Sequence, residues 1–208
     1  MRTKRSSSLF GLDLRHIAHI LKGTFFSAKT ISPRSLQPYF HHVQYELAEV
    51  GAAGAHILQE PVGRNTAPAI ALAARFCLDK LGTDSGEVLF VTPSDHIIRP
   101  AESFLAVVRQ GVAAAKEKIV TFVIKPDKPE TGYGYIQAGK QVGDSYHVSS
   151  FREKPDKKTA QEYLNAGNYY WNSGMFCFTI GCLLEELSLH QPQLYNIIDR
   201  NFESAMSN

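Results

Sequence analysis

Residues 56–81 read HILQEPVGRNTAPAIALAARFCLDKL, and the change of texture within this run decides the fold. Residues 56–59 form a short strand pattern around Ile57 and Leu58. Residues 68–81 form a helix pattern, with Ile70, Ala73, Ala74, Cys77 and Leu81 spaced to share one face. Between them stand Glu60, Pro61, Arg64, Asn65 and Thr66. Asn65 or Thr66 alone suffices to cap the helix, so Glu60 and Arg64 are surplus to that purpose. A strand end meeting a helix start brings free backbone N–H groups and the positive end of the helix dipole to the sheet edge, which suits an anion or a polar ligand. An ionised Glu only accepts hydrogen bonds. Glu60 therefore matches the N1–H and exocyclic N2–H₂ donor pair of guanine, which adenine and the pyrimidines lack.

The strand–helix alternation extends in both directions. Upstream, residues 41–50 read as a helix ended by Gly51 and Gly54. Downstream, 87–91 and 119–124 read as strands buried on both faces. The helix between them, 100–116, turns Phe104, Val107, Val108 and Val112 inward. This alternation predicts an α/β fold with a mixed, mostly parallel sheet and helices on both faces. After Lys125 the texture becomes aromatic and strand-like at 133–138, 146–151 and 169–178, with a helix at 157–166 and short helices at 183–189 and 193–199. The expected organisation is an atypical basic leader, 1–39, followed by an incomplete α/β domain, 40–208. That domain divides into an α/β half, 40–125, and a β-rich substrate-binding half, 126–208.

Composition sets bounds. The 208 residues carry a net charge of +2. Seven Lys and Arg against Asp13 give the first 39 residues +6, leaving −4 for the rest. An acidic body lacks the basic face that nucleic-acid phosphates require. No apolar run is long enough to span a membrane. Cys77, Cys177 and Cys182, odd in number and set among apolar residues, read as reduced thiols of a cytoplasmic protein rather than disulfides or metal ligands. Dinucleotide-fold glycines, the P-loop, the zinc-protease helix and the hydrolase elbow are all absent.

One further polar cluster lies where parallel sheets bind ligands, beyond the carboxyl end of a strand, and three more lie in the aromatic half. Asp95, in PSDH at 93–96, leaves a buried strand where a hard oxygen ligand can hold Mg²⁺; a plain turn is the competing reading. The run ETGYGYI at 130–136 supplies glycines for close backbone approach. FREKP at 151–155 offers a carboxylate for sugar hydroxyls and a cation for a sugar phosphate, or is simply a solvated charge cluster. In WNSGMF at 171–176, Asn172 is a polar interruption of an aromatic strand and requires a partner.

Taken in order, ILQEPVGRNTAPAIALAA, VLFVTPSDHII, KPETGYGYI, FREKPD and YYWNSGMF resemble the mannose-1-phosphate guanylyltransferases, over about residues 41–199. The bacterial type often fused to a mannose-6-phosphate isomerase domain is the nearest match. The resemblance implies a Rossmann-like sugar-nucleotidyltransferase fold. It also implies a Mg²⁺-dependent reaction of GTP with α-D-mannose 1-phosphate to give GDP-mannose and pyrophosphate. It assigns Glu60, Pro61, Arg64, Asn65 and Thr66 to the guanosine, Asp95 to the metal, Gly134, Glu153 and Asn172 to the mannose, and Lys154 to its phosphate. Asp95 and Lys154 are then the catalytic pair. The implied partners are GTP, mannose 1-phosphate and GDP-mannose, with no nucleic acid or membrane; a homo-oligomer is compatible. The family's G-G-x-G-T-R-L-W-P-L-S-R loop has no counterpart in residues 1–39, and its downstream W-x-D-V-G-S-W segment is missing. The expectation is a fragment of impaired activity, with a non-catalytic sugar-nucleotide-binding module as the alternative.

Overall fold

A computed structural model describes residues 26–29, 41, 44–45, 47–49, 52, 54–59, 65–93, 96 and 98–206. They divide between two compact bodies, one drawn from Met1–Val120 and Cys177–Asn208, the other Thr121–Phe176. The second body begins at Thr121, and the last part of the sequence, from Cys177, belongs to the first.

In the first body, β1 (Phe26–Lys29) pairs parallel with β2 (His56–Gln59), from Phe26 opposite His56 to Lys29 opposite Gln59. β1 falls inside the segment that the sequence sets apart as a leader, because a four-residue strand in a basic stretch carries too little alternation to be seen. Helical turns follow at 41, 44–45 and 47–49, as expected. α1 (Thr66–Leu81) is helical from two residues before Pro68; a proline in the first turn costs nothing, since its missing N–H would have had no partner there. The helix stops at Gly82, whose φ of 63° is the left-handed conformation that terminates helices, with Lys80 in the last turn facing the dipole's negative end. Ala71, Ala74, Phe76 and Cys77 are its buried residues, so the buried stripe is centred further round the helix than the expected face. Phe76 closes on Leu58 and His56 of β2, ring to ring with the latter at 5.2 Å.

β3 (Val88–Val91) is half-buried throughout, short of the full burial expected, and pairs with β7 (Tyr169–Thr179), whose residues 177–179 belong to this body. α2 (Ala101–Ala114) presents Leu105 and Val108 inward; Val107, expected inside, is 49% exposed. Leu105 anchors a cluster with Phe90, Ile98 and Phe104. α4 (Ile180–His190) starts where the Thr179 hydroxyl accepts from the Cys182 N–H at 3.2 Å. Backbone bonds from Ile180 and Gly181 to Glu87 and Ser85, 3.0 and 2.7 Å, hold that start against the approach to β3. α5 (Pro192–Met206) packs on α1 and α4. Arg75 of α1 clasps it, donating to Asp79 at 2.8 Å and to Asp199 at 3.0 Å.

The second body holds most of β4 (Val120–Ile124), β5 (Tyr135–Val142), β6 (Ser145–Arg152), α3 (Lys157–Ala166) and the greater part of β7 (Tyr169–Thr179). β5 pairs antiparallel with both β6 and β7, and β4 also pairs with β7. The α/β class holds, but parallel pairing is confined, among the pairs with an assigned register, to β1–β2. A two-residue link, Gly143-Asp144, can only return β6 antiparallel to β5. β4 is buried at Phe122, whereas Val123 and Ile124 are 40% and 47% exposed, against the expectation of a fully buried strand. Asp156 caps α3 by accepting from the Thr159 N–H at 2.8 Å, and that bond lowers its carboxyl pKa. Ala160 and Tyr163 of α3 pack with Tyr135, Tyr169 and Trp171 on one face of the sheet.

All three cysteines are free thiols. Burial raises the thiols of Cys77 to about 11 and Cys177 to about 12, from an ordinary value of 9.0. The fold therefore favours their neutral form: this stabilisation is full below pH 9.0 and is lost as pH climbs toward those raised values. Urea denaturation followed from about pH 8 to about pH 10 should show falling stability. A Cys77→Ala/Cys177→Ala double variant should lose less over the same range; an identical slope in both proteins refutes the assignment.

Candidate functional site

The antiparallel register of the second body brings together residues that lie up to 38 positions apart in the sequence, from Gly134 to Asn172. Tyr135 at the start of β5 stands opposite Arg152 of β6 and Trp171 of β7. One step along, Gly134, Glu153 and Asn172 fall in a row across the same strand ends. The Asn172 N–H donates to the Gly134 carbonyl at 2.8 Å, tying two members directly. The Asn172 side-chain oxygen accepts from the Gly174 N–H at 3.2 Å, so the donor capacity of this side chain rests in its amide NH₂. Tyr135, fully buried, donates its hydroxyl to the Glu130 carbonyl at 2.8 Å and so fixes the approach of the 130–134 loop.

Glu153 and Lys154 end the row. Their side chains are 62% and 64% exposed and the ammonium lies 3.6 Å from the carboxylate, a solvated contact that holds neither group firmly. Lys154 has φ of 32°, unusual for a residue with a Cβ. This backbone conformation turns the chain immediately after β6, leaving a cation and a carboxylate side by side. An acceptor, an amide donor and a cation within one strand-end row can hold hydroxyls and a phosphate together.

Gly134 is also closely approached by a protein side chain. A Cβ built there meets the Phe151 ring at 2.8 and 2.9 Å and the Glu153 carboxylate at 3.5 Å. The glycine is thus required by a protein side chain, and the space above its Cα is filled by Phe151. Sequence reasoning passed over Phe151. The available signal was its spacing of two from Glu153, which on a strand puts both on one face.

In the first body, Asn65 and Thr66 stand at the start of α1. Asn65 occupies the cap position yet makes no side-chain capping hydrogen bond, and its φ of 73° with ψ of −178° lies in a region that essentially only glycine adopts. Capping therefore does not account for Asn65, which is strained and exposed. Glu60, Pro61, Arg64 and Asp95 lie outside the described residues. Among the described residues no group of three or more His, Cys, Asp or Glu is arranged to hold a metal, and no helix is long and apolar enough to cross a membrane.

Residues 30–208 match the family described as nucleotidyl transferase. The xanthan biosynthesis protein XanB of Xanthomonas campestris pv. campestris (strain B100) is 49% identical over 161 residues, 77% of this chain and 34% of that protein. The mannose-1-phosphate guanylyltransferase RfbM of Salmonella typhimurium (strain LT2) is 45% identical over 160 residues, 76% of this chain and 33% of that protein. The chain therefore spans about a third of the length of these curated relatives. In three dimensions it is similar to the crystal structure described as mannose-1-phosphate geranyltransferase from Thermus thermophilus. The TM-score is 0.74 at 28% identity, over 93% of this chain and 55% of that one.

Strain at Asn65 without a capping bond has a direct consequence. Asn65→Gly should stabilise the protein by about 1 kcal/mol in urea denaturation, because glycine adopts this backbone freely and no capping hydrogen bond is lost. A loss of stability would show that the amide carries a bond worth more than the strain.

Proposed function

The chain belongs to the nucleotidyl transferase family, and from that we propose that it is a mannose-1-phosphate guanylyltransferase. In this reading a phosphate oxygen of α-D-mannose 1-phosphate attacks the α-phosphorus of GTP. A new P–O bond forms, the bond to the β-phosphate breaks, and pyrophosphate leaves with GDP-mannose as product. No protein nucleophile is needed; positioning and charge neutralisation supply the rate. The observation that carries this reading is the row of Gly134, Glu153 and Asn172 with Lys154 beside it. Glu153 accepts from the mannose hydroxyls, Asn172 donates to them, and Lys154 takes the sugar phosphate.

For the nucleotide, Glu60 reads the donor edge of guanine, while Pro61, Arg64, Asn65 and Thr66 line the guanosine at the positive end of α1. Asp95 is the residue that would hold Mg²⁺. A single carboxylate with phosphate oxygens and water is how that ion is commonly bound. When bound, Mg²⁺ offsets the negative charge of the triphosphate. The reaction is assigned to the cytoplasm, in keeping with three unpaired thiols. The name of RfbM and the five ordered sequence segments support guanine and mannose over other bases and sugars.

A second reading, a non-catalytic module that binds the sugar nucleotide, is favoured by one observation. The G-G-x-G-T-R loop sequence has no counterpart in residues 1–39, and loss of a transition-state arginine costs about 10³- to 10⁵-fold in other phosphoryl transfers.

Pyrophosphate release from GTP, mannose 1-phosphate and Mg²⁺, with GDP-mannose identified chromatographically, tests the first reading. Activity should vanish on chelation and fall about 10²- to 10³-fold in Lys154→Ala. Binding of GDP-mannose by calorimetry without turnover selects the second reading. Absence of both turnover and binding refutes both.

A further inference from the structure

We propose that Phe151 is a specificity-determining residue, the apolar side of the sugar pocket whose polar side is Glu153, Asn172 and Lys154. The proposal rests on the sugar-nucleotide reading above and names how the sugar, as distinct from the nucleotide, is chosen.

The geometry comes from the second body alone. Phe151 stands opposite Ile136 in the β5–β6 register, and Tyr135 opposite Arg152. Side chains alternate along a strand. Phe151 and Glu153 therefore project from the face opposite the one on which α3 covers Tyr135 and Trp171. The ring tip and the Glu153 carboxylate converge on one point above Gly134, at 2.8 and 3.5 Å. The ring is nonetheless 48% exposed and the carboxylate 62% exposed. The ring tip occupies the space a Cβ on Gly134 would need, while the remainder stays open beside a hydrogen-bond acceptor.

A pyranose is built to match such a pair. Its equatorial and axial hydroxyls need acceptors and donors, and the C–H groups of one ring face need an apolar surface. A phenyl ring supplies the second without competing for the first. It offers nothing to a phosphate, and its place beside Glu153 sets it against the sugar and not against the guanine base, on which a phenyl ring could otherwise stack. The energetic signature of Phe151 is therefore confined to ligands that carry the sugar. Gly134 is the enabling residue: any larger side chain there displaces the ring.

The test measures binding of mannose 1-phosphate, GDP-mannose and GTP by calorimetry to the full chain and to Phe151→Ala, Phe151→Tyr and Phe151→Leu. Phe151→Ala should weaken both sugar ligands about three- to tenfold and leave GTP unchanged. Phe151→Tyr, which keeps the ring, should restore binding, and Phe151→Leu, which keeps bulk without the ring, should restore it only in part. Equal binding of the sugar ligands by wild type and Phe151→Ala overturns the proposal. So does a parallel loss for GTP with a lowered melting temperature, the mark of a merely structural role. If the wild type binds GTP and neither sugar ligand, the guanylyltransferase reading itself fails and takes this proposal with it.

Discussion

The 2.8 Å hydrogen bond from the Asn172 N–H to the Gly134 carbonyl fixes the alignment on which the rest of the site depends. Side chains on strands alternate with a period of two, so slipping β7 by one residue along β5 would send Asn172 to the face covered by α3 and bring Trp171 out. The aromatic packing of Tyr135, Ala160 and Trp171 makes that slip costly, because it would expose surfaces that are now almost completely buried. The core on one face of the second body thus sets the identity of the polar row on its edge. Neither face is specified independently of the other.

Much of this is legible in the sequence where a pattern is local and long. The strand at 56–59 forms β2 with the same bounds; the helices at 68–81, 100–116 and 157–166 appear with ends shifted by a few residues at most. Burial is less legible. Val107 and Ile124 are apolar by type, but nearly half their surface stays open, since periodicity states which residues share a face and not how much covers it. The short strand β1 escapes for a different reason: a parallel partner 30 residues away leaves no local mark. The site residues of FREKP and WNSGMF are visible as motifs, yet their convergence is a property of strand register, which is long-range. Phe151 is hidden because an aromatic in a strand reads by type as packing, and only the close approach at Gly134 reveals what it touches.

Strain is distributed unevenly. Asn65 and Lys154 are the non-glycine residues with positive φ among the described residues, one in each body, and each is proposed to meet a ligand. Such conformations persist only where the surroundings over-determine them, and they cluster where geometry serves a ligand. In each case the strained residue lies within two residues of regular structure, before α1 or after β6. Asp156 at the start of α3 and Gly82 at the end of α1 close their helices in ordinary ways. Regular structure supplies rigidity, and the irregular residue at its end supplies direction.

The aromatic packing around Trp171 has an optical consequence. It is the chain's single tryptophan, it is 8% exposed, and its indole N–H is buried with no hydrogen-bond partner among the described residues. An indole so shielded from water emits at short wavelength, and its emission shifts only when the second body opens. Helical ellipticity instead reports mainly α1, α2, α4 and α5, which lie in the first body, with α3 alone in the second. Two ordinary spectroscopic signals from one unmodified sample therefore weight the two bodies differently, and the difference between their unfolding curves measures how far the bodies melt as one.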